Sequence, residues 1–250
     1  MMSAVPKVNP APWRPAPMKN VANFAMLLQR MVDREPYLPG LAVFFGHSGW
    51  GKTESAIYGA NRHRARYVEC GQYTTARTLL MSLLTELGEQ KRRGTIEELL
   101  HRAIEILAAD PRRPVIVDEA HFIAAKRFID LLRELSDKSG AAVIMIGEEN
   151  LPVSLEQFER VHNRVLEWLP AVSCDAEDFA LLARSRLDGV TIAADLAEAL
   201  LKQTRGNTRR IVINFARVQE LSQVLGKDVI TLADFGGPTK ISDGRTPRRS

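Results

Sequence analysis

Short apolar runs alternate along this chain with stretches whose apolar residues recur every three or four positions. Residues 41–45, Leu-Ala-Val-Phe-Phe, are uninterrupted apolar and read as a buried strand. Residues 66–70, 114–117, 142–146 and 165–169 are four further strand candidates. Helical spacing fills the gaps. Thr95 and Glu98 form a capping box, and Ile96, Leu99, Leu100, Ala103, Ile104 and Leu107 follow on one helical face. A single helix is expected over 122–138, closed by Gly140. This alternation predicts an α/β fold, a parallel sheet flanked by helices. Beyond about residue 172 strands are expected to stop. Asp175 can cap a helix, Leu196, Ala197, Leu200 and Leu201 mark a second, and Ile211, Phe215, Val218 and Leu221 a third. The expected organisation is an arm over 1–19, an α/β core over 20–172, a small helical domain over 173–236 and a basic tail over 237–250.

Composition narrows this picture only slightly. Pro6, Pro10, Pro12, Pro15 and Pro17 keep the first segment out of helix. No apolar run approaches the roughly 20 residues needed to span a bilayer, so no membrane association is expected. Two cysteines far apart, Cys70 and Cys174, suggest neither a disulfide framework nor a metal site. A reducing, cytoplasmic setting is the expectation. The net charge of +4 permits a polyanionic partner without requiring one.

The chemistry concentrates after the first strand. Gly46-His47-Ser48-Gly49-Trp50-Gly51-Lys52-Thr53 is the Walker A pattern. Its glycines let backbone N–H groups converge on phosphate oxygens, where a Cβ would obstruct them. Lys52 supplies positive charge to the β and γ phosphates of ATP, and Thr53 offers a hydroxyl to Mg²⁺. A helix starting near Gly51 aims its positive end at the anion. Four specified positions match by chance in about one chain of this length in a hundred, and here they sit between a predicted strand and a helix. The third strand ends in Val117-Asp118-Glu119, about 65 residues after Lys52. This is the Walker B arrangement, with Asp118 on Mg²⁺ and Glu119 orienting the attacking water. Asp118-Glu119-Ala120-His121 also spells a helicase motif, but such helicases need two lobes of this kind and one nearly fills the chain.

These motifs, in this order, resemble an AAA+ ATPase over residues 20–236. More narrowly, 46–53, 115–121, 158–164, 206–210 and Tyr67-Val68-Glu69-Cys70-Gly71 resemble the transposition ATPases related to phage Mu B protein. The resemblance implies a γ-phosphate sensor after the fourth strand, which is Asn150 or Glu148. It implies an arginine finger before the fifth, Arg164 or the alternative Arg160, that reaches a neighbour's ATP. It implies a second sensor at Arg209, with Arg210 adjacent, that folds the helical lid onto the phosphates. It further implies a self-assembling homo-oligomer or filament on double-stranded DNA, recruitment of a transposase, and hydrolysis linked to release. Mu B carries a helix-turn-helix domain before its ATPase core. Only about 20 residues precede the first expected helix here, so that module is not expected. DNA contact then falls to the core, with Arg62-His63-Arg64-Ala65-Arg66, Arg77, Lys91-Arg92-Arg93 and Lys126-Arg127 as basic candidates, acting through phosphates.

Overall fold

A computed structural model describes residues 16–90 and 93–244. In chain order the α/β part comprises α1 (Lys19–Asp33), β1 (Leu41–Phe45), α2 (Lys52–His63), β2 (Arg66–Glu69), α3 (Ala76–Glu86), α4 (Ile96–Ala109) and β3 (Val115–Asp118). It continues through α5 (His121–Ala125), α6 (Asp130–Ser139), β4 (Val143–Gly147), α7 (Leu151–Glu156), α8 (Glu159–His162) and β5 (Val165–Pro170). The five strands, at the expected places to within a residue, form one parallel sheet in the order β2-β3-β4-β1-β5.

Both faces of this sheet are buried, which is why its strands carry little polar alternation. Leu41, Val43, Val115, Val117, Val143 and Met145 face a core completed by α3, α4 and α6. Ala42, Phe44, Ile116, Ile144 and Ile146 face the other side, where Phe24, Leu27, Leu28 and Met31 of α1 pack with Ala56 of α2. The rings of Phe24 and Phe44 stand 5.1 Å apart. The expected capping box of Thr95 and Glu98 starts α4, and Gly140, at φ 73°, closes α6.

Two expectations fail. The helix expected over 122–138 is broken into α5 and α6. Arg127 adopts φ 62°, the Phe128 N–H donates to Ile123 O and the Arg127 N–H to Ala124 O. That is a Schellman ending with arginine where glycine is usual. Strands also do not stop at residue 172. After α9 (Ala176–Arg186), β6 (Thr191–Ile192) pairs in parallel with β7 (Val229–Ile230) across α10 (Ala194–Thr204) and α11 (Thr208–Leu225), and α12 (Leu232–Phe235) follows. Two residues per strand are too few to leave a periodic trace.

The C-terminal elements have their own core, with Phe179 and Phe215 in edge-to-face contact at 5.1 Å. Ala16 and Met18, from the expected arm, and Ile241, from the expected tail, are buried in it. Asn214 Nδ2 donates to Ser242 O, and the Ser242 N–H donates back to Asn214 Oδ1. Ile241 and Ser242 are therefore packed, while Pro238, Thr239 and Lys240 before them are exposed. Positions 1–15, Lys91, Arg92 and 245–250 lie outside the described residues. Among the described residues no helix is long and apolar enough to cross a membrane.

Gly59 of α2 sits where a Cβ would stand 2.4 Å from Leu28 Cδ1 and 2.9 Å from Phe24 Cε1, both on α1 and both fully buried. Gly59→Val is expected to overpack this helix pair by about 1–3 kcal/mol, lowering Tm by roughly 2–10 °C. An unchanged or raised Tm in a thermal melt contradicts this packing.

Candidate functional site

The parallel register brings the C-terminal ends of β1, β3 and β4 together. The Gly46 N–H donates to Gly147 O at 3.3 Å, and the Ala120 N–H donates to Ile146 O at 2.7 Å. The loop after β1 and the turn after β3 are thus both stitched to the end of β4.

Gly49 and Gly51 take φ 83° and 80°, the left-handed region open to glycine, and Gly51 caps α2. Lys52 Nζ folds back over the loop, donating to Gly46 O at 2.6 Å and His47 O at 2.9 Å. Burial pushes the Lys52 ammonium below its usual range, opposed by the charges of Glu119, Asp118, Glu148 and Glu149. His47 and Trp50 meet edge-on at 4.7 Å, and His47 Nδ1 lies 3.2 Å from Glu149 Oε1. These two side chains brace the loop from outside the cleft, whose walls are formed by Ser48, Gly49, Gly51, Lys52, Thr53, Glu54, Glu119, Glu148 and α11. The cleft has a volume of about 240 Å³.

Asp118 is buried, with both oxygens engaged. Oδ2 accepts from Tyr67 Oη at 2.9 Å and Oδ1 from the Glu119 N–H at 2.8 Å. Burial first, and the Asp118 charge second, push the Tyr67 phenol upward. Glu119 turns its side chain into the cleft from a left-handed backbone, φ 54°. That conformation is costly for a residue with a Cβ and concentrates at functional sites. Burial, then the neighbouring Asp118, raise its pKa above the ordinary carboxylate value. Its Oε2 lies 3.2 Å from His121 Nδ1. Cys70, hydrogen-bonded through its N–H to Asp118 O, has its thiol pushed up to about 12, first by burial.

The remaining expected residues divide. Glu148 lines the cleft, whereas Asn150 sits two residues on, exposed, as the N-cap of α7. Arg209 lines the cleft from the first turn of α11, with Nη1 3.4 Å from Ser48 Oγ. Arg210 turns away toward Gly244. Arg164 and Arg160 lie at the other end of the sheet. There Arg164 O accepts from the N–H of Leu41, the first residue of β1, and Arg164 Nε stands 3.5 Å from Asp137 Oδ2. Arg133, Arg160, Asn163 and Arg164 line a shallow basic depression at that end.

Members of the basic clusters make contacts within the chain, while Arg77, Lys126 and Arg127 stay exposed. Arg66 donates to Glu86 O and Arg77 to Gly94 O. Lys126 donates to Gln72 O and Thr74 O, and Arg127 stacks over Phe158.

Four contributors were not legible in the sequence, although Tyr67 and Asn207 lie within segments singled out there. Tyr67 holds Asp118. Asn20 of α1 donates to Trp50 O and Val172 O and accepts from the Val172 N–H. Asn207 donates to Ser48 O. Arg186 of α9 reaches Glu54 of α2 at 3.2 Å. Each is one polar residue whose partner is remote in sequence, which local spacing does not reveal.

The fold is the α/β P-loop AAA+ fold, a parallel sheet flanked by helices with a phosphate-loop cleft at its C-terminal edge. Residues 35–154 match the family model described as AAA domain. Among solved structures, the chain is similar to the Aeropyrum pernix ORC2 protein in its ADPNP-ADP complexes, with TM-score 0.69 and 14% identity over 95% of this chain and 71% of that one. It is also similar to Cdc6p from Pyrobaculum aerophilum, with TM-score 0.64 and 19% identity over 90% and 67% of the two chains. A third is the Aeropyrum pernix ORC1 protein in complex with DNA, with TM-score 0.64 and 17% identity over 88% and 63%. At these identities the likeness establishes the fold. No curated protein sequence matches the chain.

Removing the Tyr67 hydroxyl leaves one oxygen of a buried carboxylate without its donor. Tyr67→Phe is therefore expected to destabilise the protein by about 1.5–3 kcal/mol, read from denaturant titration. No loss of stability would mean that the Tyr67–Asp118 bond does not form.

Proposed function

We propose that this chain is an ATP-hydrolysing AAA+ switch that assembles with copies of itself on double-stranded DNA, in the manner of an initiator or helicase loader. The observation that carries the reading is the convergence of Lys52, Thr53, Glu119, Glu148 and Arg209 on one cleft, while the Arg164 end of the sheet lies one strand-length away. The phosphate loop follows Phe45, whereas Arg164 O accepts from the Leu41 N–H at the other end of β1. Five residues of strand separate them, about 16 Å, so Arg164 does not serve the cleft of its own chain.

In this reading Gly46, His47, Ser48, Gly49, Trp50 and Gly51 supply the backbone cradle, and Lys52 moves from the loop carbonyls to the β and γ phosphates. Thr53 and Asp118 offer a hydroxyl and a carboxylate, the hard oxygen donors that suit Mg²⁺. Among the described residues no cluster of three His, Cys, Asp or Glu forms a metal site by itself. This fits an ion held by one or two protein oxygens together with substrate phosphates. Magnesium, when bound, neutralises charge developing on the transferred phosphoryl group. Glu119 orients the attacking water. Glu148 rather than Asn150 takes the sensor position at the cleft. Because a carboxylate accepts rather than donates, it acts on the γ-phosphate through the attacking water. Arg209 binds from the lid formed by residues 173–236. Arg164 of a neighbouring copy, with Arg160 beside it, completes the site.

The DNA part is supported by fold likeness to the ORC1 protein solved in complex with DNA and by the net charge of +4. The transposition reading, with a transposase as client, is supported by the sequence motifs of the phosphate loop, Walker B strand, 158–164 and 206–210. The two readings share the ATP-dependent assembly and part only at the client.

Electron microscopy and filter binding with duplex DNA, with and without ATP, test the shared claim. Assemblies are expected only with ATP, on any sequence, weakening steeply as salt rises. No ATP-dependent assembly at low salt overturns the proposal. Stimulation of strand transfer by a purified transposase selects the transposition client, and deposition of a replicative helicase selects the loader.

Glu119→Gln is expected to retain ATP while slowing hydrolysis by a hundredfold or more, on the order of general-base contributions, so that assemblies persist. Hydrolysis at the wild-type rate removes Glu119 from the water-orienting role. Arg164→Ala and Lys52→Ala are each expected to be inactive alone. Mixing them restores part of the rate, because a Lys52→Ala copy donates Arg164 to the intact cleft of an Arg164→Ala copy. No recovery in mixed assemblies contradicts the shared site.

A further inference from the structure

The start of α11 is fastened to the phosphate loop by more than Arg209. Asn207 Nδ2 donates to Ser48 O at 2.8 Å, and the Arg209 N–H donates to Gly49 O at 3.0 Å. Asn207 is in such close contact that a Cβ on Gly49 would lie 2.5 Å from its Oδ1. The same Oδ1 accepts from the Arg210 N–H and caps α11. One amide side chain therefore ends a helix with its oxygen and grips the loop with its nitrogen.

The residue before it is pinned as well. Gly206 O accepts from the Cys174 N–H at 2.9 Å, in the connection that leaves β5. Asn20 closes the circuit from the other flank, bonding Trp50 O, Val172 O and the Val172 N–H. The loop backbone at 48–50 is thus tied on one side to α11 and on the other to the strand connection that carries α9.

We propose that Asn207 is a positioning residue that couples the conformation of the phosphate loop to the docking of α11, so that occupation of the loop by nucleotide is read directly by the C-terminal helices. The inference rests on the nucleotide-binding reading above and goes beyond the role of Arg209, because the link runs through loop backbone rather than through ligand phosphate. Any shift of the Ser48 carbonyl moves or releases the amide that starts α11. Reciprocally, α11 in place holds the Ser48 carbonyl and the left-handed Gly49 in the turn the cradle needs. A link of this kind is thermodynamically symmetric.

Hydrogen exchange of the full chain, with and without ADP, is the test. Serine is as good an N-cap as asparagine, yet it is too short to reach Ser48 O, so Asn207→Ser keeps the helix start and cuts the grip. Asn207→Asp keeps the cap and the shape but has no donor. In the wild type, ADP is expected to slow exchange by about tenfold or more in both 46–53 and 206–212. In Asn207→Ser and Asn207→Asp, the loop remains protected while protection of 206–212 falls below about twofold. Circular dichroism reports that α11 is still formed. Full nucleotide-dependent protection of 206–212 in either variant overturns the coupling, as does protection of the loop alone in the wild type. If ADP protects neither segment of the wild type, the nucleotide reading falls, and the coupling with it.

Discussion

The last two carbonyls of β4 hold the candidate site together. Gly147 O accepts from the loop after β1 and Ile146 O from the turn after β3. Both bonds depend on parallel register, in which Phe45 pairs with Gly147 and Val117 with Met145. A slip of one residue would turn every strand side chain to the opposite face. It would also separate Lys52 from Asp118 and Glu119. The apolar residues on both faces therefore do two things at once. Leu41, Val43, Phe44, Ile144 and Met145 bury surface, and by fixing register they align two acidic residues and a lysine at one edge.

Around that edge the polar residues are arranged to resist collapse of opposite charges. Lys52 is partly buried near four carboxylates, yet its ammonium is directed to the Gly46 and His47 carbonyls. Asp118 has both oxygens satisfied by Tyr67 and the Glu119 N–H, so it is held still without an ion pair. Glu119 is left projecting into the cleft on a strained backbone, with His121 beside it. Such strain persists only where the surroundings over-determine it. Here Ile146 O anchors the Ala120 N–H immediately after the strained residue.

Much of this was legible in the sequence. The strands show because they are short, apolar and bounded by turn residues, and the phosphate loop because its spacing is dictated by backbone geometry. The capping box of Thr95 and Glu98 and the closing Gly140 show because their residue types do the work locally. What escaped has a common physical form. Arg127 ends α5 in a conformation associated with glycine, so a continuous helical pattern hid the break. Glu148 and Asn150 differ only in which side of a turn faces the cleft, a three-dimensional property. Asn20, Tyr67 and Asn207 act through bonds to partners that the chain reaches only after folding. The arginines at 66, 77 and 127 read as one undivided basic surface in the sequence, but the fold orients them individually by contacts to two carbonyls and a ring.

The proposed function rests on the loop from Gly46 to Thr53 holding nucleotide phosphates. A structure of the chain with Mg²⁺ and a non-hydrolysable ATP analogue tests it most directly. Phosphate oxygens are expected within hydrogen-bond distance of the backbone N–H groups of residues 49–53, with Lys52 Nζ withdrawn from the Gly46 and His47 carbonyls. An analogue bound elsewhere, or Lys52 still on those carbonyls beside a bound triphosphate, would contradict it.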